Sequence, residues 1–334
     1  MQNLIPFSEE KLAKLHKPRK GETRVGDIIL CCEDNLEKTL KEEKPDYVIL
    51  GIPESIGPLA NYGRPGAENA FDAFLPAFLS MQSNRFFTPK KILIAGSIDT
   101  ADLIKKSKKV KEVSDLGVIV SELDKIVESV LDKVFEINAV PLVIGGGHNN
   151  AYPIMQSAHK FLNKSCKLNI FNVDPHADLR ETDYRHSGNP FSFALESGIL
   201  NKYFVSAMHK PYNNEMMLQK MSGNKKQIKF DFLDKSYSFK KTIKKADRFF
   251  SDSEDKVLGF EFDMDSIANF PVSALTPMGL SVNQAAELVS RVCEQFNPIY
   301  FHLPEAAPSE NATEKILTGK ALAWLVYTFL NSRK

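Results

Sequence analysis

Short apolar runs rich in Val, Ile and Phe alternate along this chain with longer stretches in which apolar residues recur every three or four positions. That alternation is the pattern of βαβ units around a mostly parallel sheet. The short runs predict strands at Tyr47 to Ile52, Lys91 to Ala95, Val140 to Ile144, Leu168 to Val173, Tyr203 to Ala207, Val257 to Phe262 and Ile299 to Leu303. The longer stretches predict helices over Ser114 to Ile137, Asn149 to Leu162, Ser281 to Gln295 and Thr313 to Leu330, covering both faces of the sheet. Residues 1–45 read as an extension packed on the domain, and 46–334 as one undivided α/β domain, since no internal repeat or low-complexity linker interrupts it.

Three of these strands run straight into polar residues. Leu168 to Val173 is followed by Asp174, Pro175, His176, Ala177 and Asp178. On extended backbone, residues two apart face the same side, so Asp174, His176 and Asp178 converge on one point beyond the carboxyl end of a parallel strand. Open α/β sheets place their sites there. Val257 to Phe262 leads into Asp263, Met264 and Asp265, and the same period pairs the two carboxylates. Val140 to Ile144 leads into Gly145, Gly146, Gly147 and His148, where glycines permit a tight turn that brings the imidazole inward. Four carboxylates and two imidazoles form a hard oxygen and nitrogen donor set suited to manganese or a similar dication. Four negative charges balance two dications, and a water held between them is acidified enough to act as a nucleophile at neutral pH. Taken singly, a Gly-rich turn serves packing as readily as chemistry, and an Asp-x-Asp pair is often a capping feature. The run Asp174, His176, Asp178 is harder to dismiss, because three polar residues on one face after an apolar strand need partners if buried.

Charge and composition narrow the partners. Lys and Arg number 43 against 42 Asp and Glu, so no basic excess exists to track nucleic-acid phosphates or an anionic membrane. The basic runs at Lys105 to Lys111 and Lys240 to Lys245 read as solvated faces. No signal-like or membrane-spanning apolar segment is present, which predicts a cytoplasmic protein. Cys31, Cys32, Cys166 and Cys293 have no metal or disulfide spacing and read as buried thiols.

The order Gly145-Gly146-Gly147-His148, then Asn172 to Asp178, then Phe262 to Asp265 resembles the three metal-binding signatures of the arginase, or ureohydrolase, superfamily. The resemblance spans about Gly51 to Pro308. It implies a three-layer α/β/α fold with about eight strands in its central sheet, two Mn2+ ions, and hydrolysis of a C–N bond in a small-molecule amidine or guanidine. It further implies that His148 and Asp178 hold one metal and His176 and Asp265 the other, with Asp174 and Asp263 bridging. A homo-oligomer, trimeric or hexameric, is implied by the resemblance alone.

Within the superfamily, Gly-Gly-Gly-His replaces the Gly-Gly-Asp-His usual in arginase and agmatinase, and resembles the formimidoylglutamase subfamily. Asn61-Tyr62-Gly63-Arg64-Pro65-Gly66-Ala67, Asp178-Leu179-Arg180 and Ser187-Gly188-Asn189-Pro190-Phe191 resemble segments of the same subfamily. Phe191 stands where arginase has a histidine. His186 could substitute for it, although a surface-loop histidine is the simpler reading. Asn149 and Asn189 depart from the subfamily, which has Glu and Thr there. By resemblance Glu305 receives the cationic end of the substrate, a strand-end turn acid being the plain alternative. Arg180 reads as pairing with a substrate carboxylate, or else as neutralising the metal acids. Asn61, Arg64, Ser187 and Asn189 are weaker candidates for the same pocket, Tyr184 weaker still, and Asp178 is the expected proton relay. The expected reaction is N-formimidoyl-L-glutamate plus water to L-glutamate and formamide, as in histidine degradation. The alternatives are a urea-releasing ureohydrolase, another metal-dependent amidohydrolase, and a non-catalytic member of the superfamily.

Overall fold

The computed structural model describes residues 3–162, 166–253 and 256–333. Its strands are β1 (Leu4–Pro6), β2 (Leu30–Cys31), β3 (Tyr47–Gly51), β4 (Ile92–Ile98), β5 (Val140–Ile144), β6 (Leu168–Val173), β7 (Leu200–Met208), β8 (Ile228–Phe232), β9 (Leu258–Phe262) and β10 (Phe301–Leu303). All ten form one sheet in the order β1-β4-β3-β5-β10-β9-β6-β7-β8, with β2 also lying along β4. Strands β3 to β10 pair in parallel, and all of them but β8 stand where the pattern predicts a strand. β1 and β2 are additions from the N-terminal segment, and β1 pairs antiparallel with β4.

Alternation within each strand builds two separate apolar layers. Tyr47 and Ile49 of β3 face one layer with Leu142 and Ile144 of β5, while Val48, Leu50 and Val143 face the other. Helices Ala70–Leu79, Phe239–Ser251, Val282–Phe296 and Ala312–Ser332 cover the first layer, and Leu36–Glu43, Val113–Glu136, Ala151–Phe161 and Pro190–Glu196 the second. The result is the three-layer α/β/α arrangement. Capping fixes several of these helices: Ser281 accepts from Gln284 N while Gln284 Oε1 accepts from Ser281 N, a reciprocal pair that sets the helix start.

Three departures from expectation have simple causes. A 3-10 turn over His148–Asn150 delays the predicted helix start to Ala151. β8 was not predicted, because it is a half-exposed edge strand in which Lys229 and Asp231 interrupt the apolar residues. Only Cys32 and Cys293 are buried; Cys31 and Cys166 are half-buried, and all four remain thiols. No described helix is long and apolar enough to cross a membrane.

Candidate metal centre

β5, β10, β9 and β6 are neighbours at the middle of the sheet, and each ends in a residue that turns inward. Gly145 and Gly146 both adopt left-handed backbone (φ 81° and 74°), which a residue with a Cβ adopts only at a cost. Their turn carries the chain back so that His148 enters the centre from β5. After β6, Asp174 N continues the ladder to Ser206 O at 2.9 Å, and Asp174 Oδ1 accepts from His176 N at 2.7 Å. After β9, Asp263 Oδ1 accepts from Asp265 N at 2.7 Å in the same way. In both turns one carboxylate oxygen bends the backbone and the other faces His148. The capping reading and the metal reading of Asp263 therefore hold together.

His148 Nδ1 lies 3.2 Å from Asp174 Oδ2, 2.9 Å from Asp178 Oδ2 and 3.0 Å from Asp263 Oδ2. None of these contacts has hydrogen-bond geometry, and Nδ1 has no hydrogen-bond partner although it is buried. Neighbouring ligand atoms around an octahedral hard dication at roughly 2.0–2.1 Å lie about 2.9 Å apart. An orphaned nitrogen with three carboxylate oxygens at that spacing fits a shared cation better than a hydrogen-bond network. Donor atoms of His148, Asp174, Asp178 and Asp263 all lie within 4.8 Å of one another. On the far side of Asp174, His176 Nδ1 is 3.4 Å from Asp174 Oδ1 and 3.7 Å from Asp265 Oδ2. Six donors are thus arranged as two groups that share Asp174.

The electrostatics are those of a crowded anionic site. Burial, then the charge of Asp174, raises Asp263 to about 6. Burial and Asp263 hold Asp265 well above the usual carboxylate range. Burial works against a charged Asp174 too, but His148 and His176 outweigh it and bring the carboxyl down to about 2. Burial likewise opposes charge on His176, yet Asp174 and its neighbours lift the imidazole to about 10. Positive charge is strongly favoured here, and a dication supplies more of it per site than a proton does. Hard oxygen donors with two imidazoles suit manganese.

A cavity of about 270 Å3 opens above the cluster, lined by His176, Asp178, Asp263, Asp265 and Glu305, with Asn61, Arg180 and Ser187 on its wall. Glu305 has left-handed backbone (φ 67°), and its Oε1 accepts from His148 N at 2.8 Å. Burial, then Asp263 and Asp265, pushes its pKa well up. Asp178 is also left-handed (φ 48°) and, at 12 % exposure, sits at the rim of the cluster. Asn61 Nδ2 donates to Ser187 Oγ at 3.3 Å. Arg180 borders both this cavity and an outer one of about 380 Å3. Among the described residues its guanidinium has neither a hydrogen bond nor an ion pair.

Other expected site residues lie elsewhere. Arg64 spends its guanidinium on Ser273 O, at 3.2 and 3.0 Å, and does not line the cavity. Asn189 is buried in the loop, accepting from Arg185 Nη1 and His186 N and donating to Glu181 O and Tyr184 O. Both hold loops in place. His186 is not a surface-loop residue: it is 4 % exposed, and burial followed by the charge of Arg180 depresses it to about 4. Phe191 packs its ring edge-on to His148, with centroids 5.3 Å apart, and stacks on Tyr203. Asn149 is buried, its backbone carbonyl accepting from Arg185 Nη2.

Some of the supporting residues escaped the sequence reading. Glu54 ties the glycine turn by accepting from Gly147 N at 2.7 Å and Asn150 Nδ2 at 2.8 Å. Asn172 Nδ2 donates to Asp174 Oδ2 at 3.1 Å and to Tyr203 Oη at 2.9 Å. Glu261, two residues before Asp263, is fully buried beside His302. The signal was present for two of them, since Asn172 and Glu261 extend the two-residue period backwards into otherwise apolar strands.

A family model described as the arginase family matches residues 45–331. Formimidoylglutamase of Streptococcus pyogenes is 25% identical over 279 residues, covering 80% of this chain and 79% of that protein. The formimidoylglutamase of Bacillus subtilis superposes with a TM-score of 0.75 at 17% identity, over 95% of this chain and 94% of that one. Trypanosoma cruzi formiminoglutamase, crystallised with Mn2+2, gives a TM-score of 0.72 at 22% identity, over 94% of this chain and 100% of that one.

Proposed function

The chain belongs to the arginase family, whose model runs from residue 45 to residue 331, and from this premise we propose that it hydrolyses N-formimidoyl-L-glutamate to L-glutamate and formamide with two manganese ions. The coarser part, an arginase-family hydrolase acting on C–N bonds and carrying a His/Asp metal cluster, follows from the family and the cluster. The observation that carries the finer part is Arg180. An unpaired guanidinium on the wall of a cavity floored by carboxylates suits a substrate that is cationic at one end and anionic at the other. The similar proteins named above bear the same activity in their names.

His148, Asp174 and Asp178 with Asp263 would hold one ion, and His176, Asp265 and the shared carboxylates the other. When bound, the ions supply an acidified water and a positive field at the reacting carbon. The chain's own residues do the rest. Glu305, anchored through Oε1 by His148 N, receives the amidinium through charge-assisted hydrogen bonds. Arg180 pairs with a carboxylate of the glutamate portion, and Asn61 and Ser187 border that end. As water oxygen bonds to the formimidoyl carbon, the bond from that carbon to the glutamate nitrogen breaks. Asp178, at the cavity rim, passes the water's proton to the departing nitrogen. The same reading keeps residues 46–334 as the catalytic domain and 1–45 as an extension that adds edge strands.

A manganese-loaded turnover assay on N-formimidoyl-L-glutamate, with arginine, agmatine and guanidinobutyrate in parallel, tests this. Glutamate with formamide is expected, and Asp178→Asn should lower kcat by about 10²–10⁴-fold while leaving the fold intact. Urea from a guanidino compound would overturn the substrate. No turnover on any of them would favour a non-catalytic member, and an active Asp178→Asn enzyme would remove the proton relay.

A further inference from the structure

Behind His148, on the side away from the cavity, lies a buried polar chain that the proposed reaction does not use. Glu261 of β9 and His302 of β10 are partners across the two strands, and neither is exposed at all. His302 Nδ1 lies 2.6 Å from Glu261 Oε2, and Tyr300 Oη donates to Glu261 Oε1 at 2.8 Å. Gly259, two residues before Glu261 on the same face, makes room for that tyrosine, since a Cβ there would lie 2.3 Å from the Tyr300 ring. The Oε2 that meets His302 is also 3.5 Å from His148 Nε2. His148 Nε2 has no hydrogen-bond partner, and its other nitrogen faces the carboxylate cluster.

A carboxylate taken fully out of water is costly unless it is paired. A core ion pair with His302 would explain Glu261 alone. It would not explain why the same oxygen faces the rear nitrogen of an imidazole whose front nitrogen is crowded by three acids. A carboxylate behind a ligand histidine fixes the ring's tautomer and orientation and raises the basicity of the ligating nitrogen.

We infer that Glu261 is a positioning residue for the metal held by His148. It accepts the Nε2–H of His148 and so leaves the Nδ1 lone pair directed at Asp174, Asp178 and Asp263, while His302 and Tyr300 keep the carboxylate in place. A closure of about 0.5 Å brings Nε2 and Oε2 to hydrogen-bond distance. The inference rests on the metal-centre reading above.

The test is manganese affinity. Chelator-stripped protein is titrated with Mn2+ against a chromophoric competitor, alongside Glu261→Gln and His302→Gln. Wild-type protein should bind two equivalents. Glu261→Gln should weaken one equivalent by about 10–100-fold, with the metal-free unfolding midpoint unchanged or raised and kcat restored at saturating Mn2+. His302→Gln should weaken the same equivalent, and it carries the test if the first variant does not fold. Affinities within twofold of wild type in the folded variants would overturn the inference, as would a lowered metal-free midpoint with both affinities intact. Wild-type protein that binds no manganese would overturn the metal-centre reading itself, and Glu261's role with it.

Discussion

Two aspartates, Asp174 and Asp263, each do two jobs with their two oxygens, bending the chain after a strand and facing the centre. The two-residue period of extended backbone predicts that the polar groups of each run meet. Asp265 instead lies in the 3-10 turn Met264–Ser266 and Asp178 is left-handed, so the carboxylate-to-backbone hydrogen bonds of the turns bring them together. Prediction failed in loops, where no period operates. Arg64 and Asn189 sit in segments whose resemblance suggested a pocket, but each is consumed by hydrogen bonds to backbone carbonyls. His186 illustrates the same limit, and its burial has a pH consequence. Its ordinary value of 6.5 falls to about 4 in the fold. Between those values the unfolded chain takes up a proton that the folded chain refuses, so this contribution to stability is full above pH 6.5 and is lost as the pH falls towards 4. Replacing His186 with Gln should therefore flatten the decline across that window. Urea unfolding of metal-free wild type and variant at several pH values checks this, and parallel declines would contradict it.

At the scale of elements, the long helices and the buried strands were readable because their apolar periods run for several turns or residues. β1 and β2 were not, because strands of three and two residues are too short to display a period. Their pairing is nonetheless specific. β1 lies against β4 where Gly96 has φ 123°, and a Cβ there would come within 2.0 Å of Ile5 O. Gly96→Ala should push β1 off the sheet and cost about 1–3 kcal/mol. Hydrogen exchange is expected to quicken at the β1–β4 contacts while β5, β6, β9 and β10 stay protected. Unchanged protection of β1 would show that the edge can absorb the methyl group.

On the scale of the whole molecule, ligand groups from residues 148, 174–178 and 263–265 meet only after distant strands have paired. The order of those strands was not legible, since apolar runs reveal that a strand exists but not its neighbours. Metal binding should accordingly be coupled to global stability. Manganese at about 100 times its Kd adds about 2.7 kcal/mol, so chelation should lower the unfolding midpoint and readdition restore it, as calorimetry can check. An unchanged midpoint would mean that the centre binds metal weakly or that the unfolded chain binds it equally well. The position of β10 has a further consequence for how the protein is made. It follows every other strand in the chain, yet it fills the gap between β5 and β9. A nascent polypeptide that has emerged only as far as β9 holds two partial sheets with unpaired edges facing each other, an arrangement prone to pairing with neighbouring chains. Those edges stay open until Phe301–Leu303 arrives, and exchange of that one strand between two chains is the natural route to misassembly.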